Sequence, residues 1–115
     1  MKTKKHCLAL DLKDDPSLIE VYKQYHAPGG VWPEVLDSLR DSGIQHMEIY
    51  LVGNRLFMII EVDEHFSFER KAQMDAANPH VQRWEELMWQ YQQPLPWAEP
   101  GQKWVQMERV FKFEA

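Results

Sequence analysis

Ile44-Gln45-His46-Met47-Glu48-Ile49-Tyr50-Leu51-Val52-Gly53-Asn54-Arg55-Leu56-Phe57-Met58-Ile59-Ile60-Glu61-Val62 is the stretch on which the fold turns. Met47, Ile49 and Leu51 alternate onto one side and Tyr50 onto the other, the period-2 pattern of a strand. Gly53-Asn54 is a two-residue turn signal, and Arg55 to Val62 reads as the returning strand. A β-hairpin therefore occupies the middle of the chain.

Working toward the N-terminus, Ser42-Gly43 ends a helix that runs from about Trp32 to Asp41, glycine being common just beyond a helix end. Val35, Leu36 and Leu39 are its apolar positions. Pro28-Gly29-Gly30 separates it from an earlier helix ending near Tyr25. Asp14-Asp15-Pro16 starts that helix with an N-cap residue and a proline in the first turn, and Leu18, Ile19 and Tyr22 form its inner stripe. His6 to Leu12 alternates, with Leu8, Leu10 and Leu12 on one side, and reads as the first strand.

Beyond the hairpin the pattern turns helical from Asp63 to Gln93. Phe66 and Phe68 adjoin a short helix around residues 65–76, and Asn78-Pro79 restarts a helix carrying Val81, Trp84, Leu87, Met88 and Tyr91. Pro94, Pro96 and Pro100-Gly101 mark a rigid loop that leaves Trp97 outside any helix. Lys103 to Phe113 alternates again and reads as a last strand.

The order β-α-α-β-β-α-α-β reduces to βαββαβ, an α+β chain of the ferredoxin-like kind with split helices. Residues 1–115 are expected to form a single domain, with helices on one face of the sheet. The opposite face carries too many apolar side chains to remain wetted alone, so a homodimer is expected.

Composition narrows the function. Thirteen basic against 18 acidic side chains give a net charge of −5, which repels phosphate backbones and anionic surfaces, so neither nucleic acid nor membrane is an expected partner. Cys7 is the only cysteine. It allows no intrachain disulfide, fits a reducing compartment, and in an apolar alternating run reads as an inert buried thiol. The basic start, Met1-Lys2-Thr3-Lys4-Lys5, is followed by an apolar run too short for a signal peptide, and no segment approaches a membrane span in length. A cytoplasmic location is expected.

The chemistry-bearing cluster lies at the first helix–helix corner. Tyr22 and His26 are one turn apart on the same helical face, and Trp32 follows the Gly29-Gly30 break. Histidine is the side chain best suited to move protons near neutrality, although a histidine at a helix end can also simply cap carbonyls. Five tryptophans in 115 residues are a surplus, and indole faces pack well on the C–H faces of sugars. Trp84 sits in the penultimate helix, where core packing is its default role. His6, His46, His65 and His80 are scattered singly and make no metal-ligand spacing. There is no glycine-rich phosphate loop and no nucleophile elbow.

Tyr22-x-x-x-His26, Trp32-Pro33-Glu34, Ile49-Tyr50-Leu51, Gln82-Arg83-Trp84 and Glu108-x-Val110-Phe111, taken in order, resemble the L-rhamnose mutarotase family of small dimeric α+β-barrel proteins. The resemblance covers nearly the whole chain, and its most specific part is Tyr-x-x-x-His followed by Trp-Pro-Glu. It implies an aldose 1-epimerase that interconverts the anomers of a 6-deoxyhexose without metal or organic cofactor. It places the catalytic acid/base on His26 and a sugar contact on Tyr22. The family's aromatic pair falls on Trp84 and Glu85, so the second aromatic is replaced, and a further family tyrosine falls on Met47. Tyr22, Trp32, Met47, Trp84 and Glu85 are thus the expected substrate-binding positions. L-rhamnose is the first expected substrate and L-fucose its rival. Two other readings fit the same scaffold: a cofactor-free monooxygenase or haem-degrading protein, and a non-catalytic sugar-binding module.

Overall fold

The computed structural model describes residues 3–115; Met1 and Lys2, which open the basic N-terminal run, lie outside them. The order is β1 (Lys4–Leu12), α1 (Pro16–Tyr25), α2 (Pro33–Ser42), β2 (Ile44–Val52), β3 (Arg55–Val62), α3 (Phe68–Ala76), α4 (Pro79–Trp89), β4 (Gln92–Gln93) and β5 (Val105–Gln106). The sheet runs β2-β3-β1-β4, all antiparallel, with β5 also paired to β1. This is the ferredoxin-like α+β arrangement expected from the sequence.

Helix starts follow local chemistry. The Asp15 carboxylate accepts the Ser17 amide at 2.8 Å, and Pro16 occupies the position where no N–H is needed. Asn78 and Pro79 repeat the device at α4, and the Ser67 hydroxyl caps α3. Gly43 ends α2 at φ 101°, a left-handed conformation that favours glycine.

Strand periodicity places Leu8, Leu12, Ile49, Leu56, Met58, Ile60 and Val62 beneath the helices, where they meet Tyr22, Val35, Trp84, Met88 and the Phe66–Phe68 pair. Leu10 and Leu12 are fully buried. The register then puts Cys7, Ala9, Asp11, Arg55, Phe57, Ile59, Tyr50 and Val52 on the opposite face. Asp11 is buried there because Arg55 grips both its oxygens, at 2.8 and 3.2 Å, and Trp97 lies over the guanidinium at 4.9 Å. Cys7 is only partly buried.

Besides Cys7, expected to be buried, two expectations from the sequence need correction. The last strand does not span Lys103–Phe113. Only Val105 and Gln106 pair with β1, opposite Ala9 and Leu8, and Met107 adds one bond to the Cys7 carbonyl. The competing short β4, at Gln92–Gln93, takes the other end of the same β1 edge. From Glu108 onward the chain leaves the sheet, with Val110, Phe111 and Phe113 exposed. Leu36, assigned to the apolar stripe of α2, is also exposed. No helix among the described residues is long and apolar enough to cross a membrane.

Leu10 lies at the centre of the sheet with no accessible surface. Leu10→Ala is expected to lower unfolding free energy by about 2–5 kcal/mol, measured by urea denaturation followed by circular dichroism.

Candidate active site

The corner after α1 is built by a histidine that ends the helix and a glycine that lets the chain return. His26 is the C-cap of α1 (φ −102°, ψ 1°), and its own amide bonds the carbonyls of Lys23 and Gln24. Its side chain continues the capping: Nδ1 lies 2.9 Å from the Tyr22 carbonyl oxygen. A carbonyl only accepts, so Nδ1 carries the proton and Nε2 keeps a free lone pair. The capping role and the proton-moving role are therefore one geometry. Gly30 next brings the chain against the end of α1, and a Cβ built there would lie 2.5 Å from the Tyr25 carbonyl oxygen. Only glycine allows that approach.

This return sets Trp32 at the start of α2, 5.1 Å from Trp84 between ring centroids and near edge-on to it (69°). Trp84 in turn meets His26 at 5.7 Å and Tyr25 at 6.1 Å. The Tyr22 ring lies 4.3 Å from the imidazole at a tilt of 31°. Tyr22, His26, Trp84 and Trp32 thus form one continuous aromatic run. A cavity of about 150 Å³ opens beside it, lined by Tyr22, Lys23, His26, Ile49, Tyr50, Leu51 and Leu56. That is small beside the roughly 300–1,000 Å³ of drug-sized sites, which limits an occupant to a single ring. A larger concavity of about 800 Å³ lies between the first half of β1 and residues 106–112, among Lys4, Lys5, Glu61 and Arg109; it contains none of the aromatic run.

Burial tunes the two polar members in a common sense, toward neutrality. Desolvation lowers the His26 pKa below its usual 6.5, opposed by the bond to the Tyr22 carbonyl. Desolvation pushes the Tyr22 phenol up to about 12, opposed by a hydrogen bond from Gln92. At neutral pH the pair is an imidazole with a free lone pair beside an intact phenol.

The structure brings together Tyr22, His26, Trp32 and Trp84 of the expected positions. Met47 lies elsewhere, packed with Leu8, Ile44, Ile60 and Val62. Glu85 also points away, toward α3: it accepts a bond from Gln82 at 3.4 Å, and its carboxyl is raised by burial, with Lys103 and Lys71 opposing and Asp75 adding to the shift. Three of the other histidines are engaged differently. His46 pairs with Glu48 at 2.8 Å, His80 with Arg83 at 3.1 Å, and His6 packs edge-on to Phe68 at 5.0 Å. Among the described residues no three His, Cys, Asp or Glu side chains gather as metal ligands. Sequence reasoning assigned no site role to Lys23, Ile49, Tyr50, Leu51, Leu56 or Gln92. Lys23, Ile49, Tyr50 and Leu51 share elements with recognised positions, whereas Gln92 sits in a two-residue strand with no periodicity to reveal it.

Residues 5–113 match the family model for L-rhamnose mutarotase. The chain belongs to the L-rhamnose mutarotase family. It is an enzyme of the isomerase type. A relative named L-fucose mutarotase, from Xanthomonas campestris pv. campestris, is 44% identical over 111 residues, covering 96% of this chain and 89% of its own. An L-rhamnose mutarotase from Klebsiella pneumoniae is 30% identical over 94 residues, covering 80% and 81% respectively. Among solved structures, an L-rhamnose mutarotase from Formosa agariphila superposes with a TM-score of 0.69 at 24% identity, covering 96% of this chain and 99% of that one, and supports the fold.

Gly30→Ala forces a methyl group against the α1 carbonyls. It is expected to cost about 1–3 kcal/mol and to alter the near-ultraviolet circular dichroism of the Trp32–Trp84 pair while far-ultraviolet signal persists.

Proposed function

We propose that this protein is an aldose 1-epimerase that interconverts the α and β anomers of a 6-deoxyhexose, with L-fucose placed ahead of L-rhamnose. The observation that carries the reading is His26, its tautomer locked, on the wall of a single-ring cavity in a chain of this family. The order of substrates rests on 44% identity to the protein named L-fucose mutarotase against 30% to the one named L-rhamnose mutarotase.

The chemistry needs one proton moved between two oxygens on one carbon. His26 Nε2 takes the proton from the anomeric O1–H as the C1–O5 bond breaks and C1=O1 forms. The imidazolium then hands that proton to O5, giving the open-chain aldehyde. Half a turn about C1–C2 presents the other carbonyl face, and the reverse steps close the ring as the opposite anomer. Atoms and charge balance without a further reactant. Tyr22 holds a sugar hydroxyl or the ring oxygen, Ile49, Leu51 and Leu56 supply the apolar wall, and Trp84 with Trp32 backs the imidazole. Positioned proton transfer is worth roughly 10²–10⁴-fold, enough for a reaction that already proceeds unaided in water.

Saturation-transfer NMR of L-fucose and L-rhamnose tests this directly. Anomer exchange is expected with both, faster for L-fucose. His26→Asn is expected to lower the enzymatic rate by roughly 10²–10⁴-fold, and unchanged exchange would remove His26 from the mechanism. Because burial depresses the His26 pKa, the base form persists at neutral pH. Activity is expected to be flat above pH 6.5 and to fall on acidification through that depressed value. Stability follows the same sign: the unfolded chain binds the proton more readily, so the His26 contribution is complete above pH 6.5 and is lost as pH falls toward the folded value.

We also infer that residues 1–115 act as one unit, that the protein works in the cytoplasm, and that it forms a homodimer through the helix-free face of its sheet. The support for the dimer is that Tyr50 and Val52 are exposed on that face beside partly buried Phe57 and Ile59, with Val110, Phe111 and Phe113 uncovered in the C-terminal segment. Sedimentation velocity is expected to give twice the chain mass, and Ile59→Asp to give the single chain.

A further inference from the structure

We propose that Gln92 is a positioning residue, whose amide occupies a lone pair of the Tyr22 hydroxyl and thereby turns the phenolic O–H toward the ring oxygen of the sugar. The inference rests on the mutarotase reading above.

Gln92 is an anomaly of burial. It is 7% exposed, yet the residues packed around Tyr22 are Leu12, Val35, Leu56, Trp84 and Met88. A leucine there would avoid the cost of desolvating an amide. The position is also firmly set, since Gln92 pairs with Leu12 of β1 and Gln93 with Asp11. Its side chain crosses from the sheet to α1, where Nε2 donates to the Tyr22 hydroxyl oxygen at 3.5 Å. Among the described residues this is the one hydrogen bond that hydroxyl makes. It is long for such a bond, as bonds around catalytic groups often are before a substrate tightens them.

The consequence concerns direction rather than strength. A phenol oxygen has one proton and lone pairs that accept. With an N–H aimed at a lone pair, the proton must point away from Gln92. On the His26 side the same logic operates in reverse, where the Tyr22 carbonyl holds the Nδ1 proton and leaves Nε2 as acceptor. Two fixed neighbours therefore give the adjoining rings opposite polarity, a donor on Tyr22 and an acceptor on His26, with ring centroids 4.3 Å apart. O1 and O5 of a pyranose share one carbon and need opposite partners: O1–H gives up a proton while O5 gains negative charge. Tyr22 stabilises that charge as a hydrogen-bond donor and keeps its proton throughout. A phenol this buried is suited to such a role because it resists ionisation.

Three variants test the idea by anomer-exchange NMR with L-fucose and L-rhamnose. Gln92→Glu replaces the donor with an acceptor that captures the Tyr22 proton. It is expected to lower kcat roughly 10- to 100-fold, the scale of one charge-assisted hydrogen bond, with KM within about threefold of wild type because the hydrogen bond matters most as charge develops. Gln92→Met, neutral and similar in length, is expected to lower kcat less, since the hydroxyl then rotates freely. In a Tyr22→Phe background neither change is expected to lower kcat further. A folded Gln92→Glu with wild-type kcat overturns the proposal, as does an equal additional loss in the Tyr22→Phe background. If Gln92→Glu fails to fold, wild-type kcat in a folded Gln92→Met overturns it equally. Absence of exchange by the wild-type protein would instead sink the mutarotase reading, and this proposal with it.

Discussion

The bond from His26 Nδ1 to the Tyr22 carbonyl is the contact on which the site depends. Every helix ends with carbonyls that have no partner within the helix. Here the imidazole of the capping residue takes one of them. That single 2.9 Å bond fixes the tautomer, holds the ring against the Tyr22 ring, and marks where the chain must turn back. The close return at Gly30 and the meeting of Trp32 with Trp84 follow from where the helix stops. A bland structural role and a catalytic one are often set against each other for such a histidine. At this corner capping is what prepares the base.

Burial then does to both polar groups what it does to any titratable side chain: it disfavours the charged form. For an imidazole that means a lower pKa, for a phenol a higher one, and the two rings share one environment. A hydrophobic surround thus yields a neutral base beside a neutral donor without any charged partner. Glu85 illustrates the alternative. It too is raised by burial, but it faces Lys103, Lys71 and Asp75, and so belongs to the charge balance between α3 and α4 rather than to the cavity.

Much of this was legible in the sequence because local signals and tertiary structure agree. The hairpin Ile44–Val62 combines period-2 patterning with a Gly-Asn turn, and Asp15-Pro16 and Asn78-Pro79 carry their own caps. Tyr22 and His26 were legible by helical spacing. The last strand was not, because alternation in Lys103–Phe113 cannot say whether a neighbouring edge is free. β4 claims the Asp11–Leu12 end of the β1 edge, and the chain pairs only at Val105 and Gln106 before departing. The surroundings of Met47 and Glu85 were not legible for a related reason. A matching position in a motif fixes the residue, whereas its place along the strand or helix decides what it meets: Met47 shares the face of Ile49 but packs with Leu8, Ile44, Ile60 and Val62, and Glu85 meets Gln82. Gln92 carried no periodic signal at all, and only its burial against Tyr22 singles it out.

β2 ties the cavity to the open face. Ile49, Tyr50 and Leu51 all line the cavity, although along the strand Ile49 and Leu51 alternate with Glu48, Tyr50 and Val52. Because side chains alternate with a period of two, a slip of one residue would exchange the two sets completely. β2 is an edge strand, held by β3 alone, so its register rests on the tight Gly53-Asn54 turn at one end and the bulge at the other. Anything that pairs with or covers this edge therefore protects the acid/base pair at a distance, by keeping Ile49, Tyr50 and Leu51 in place along the cavity.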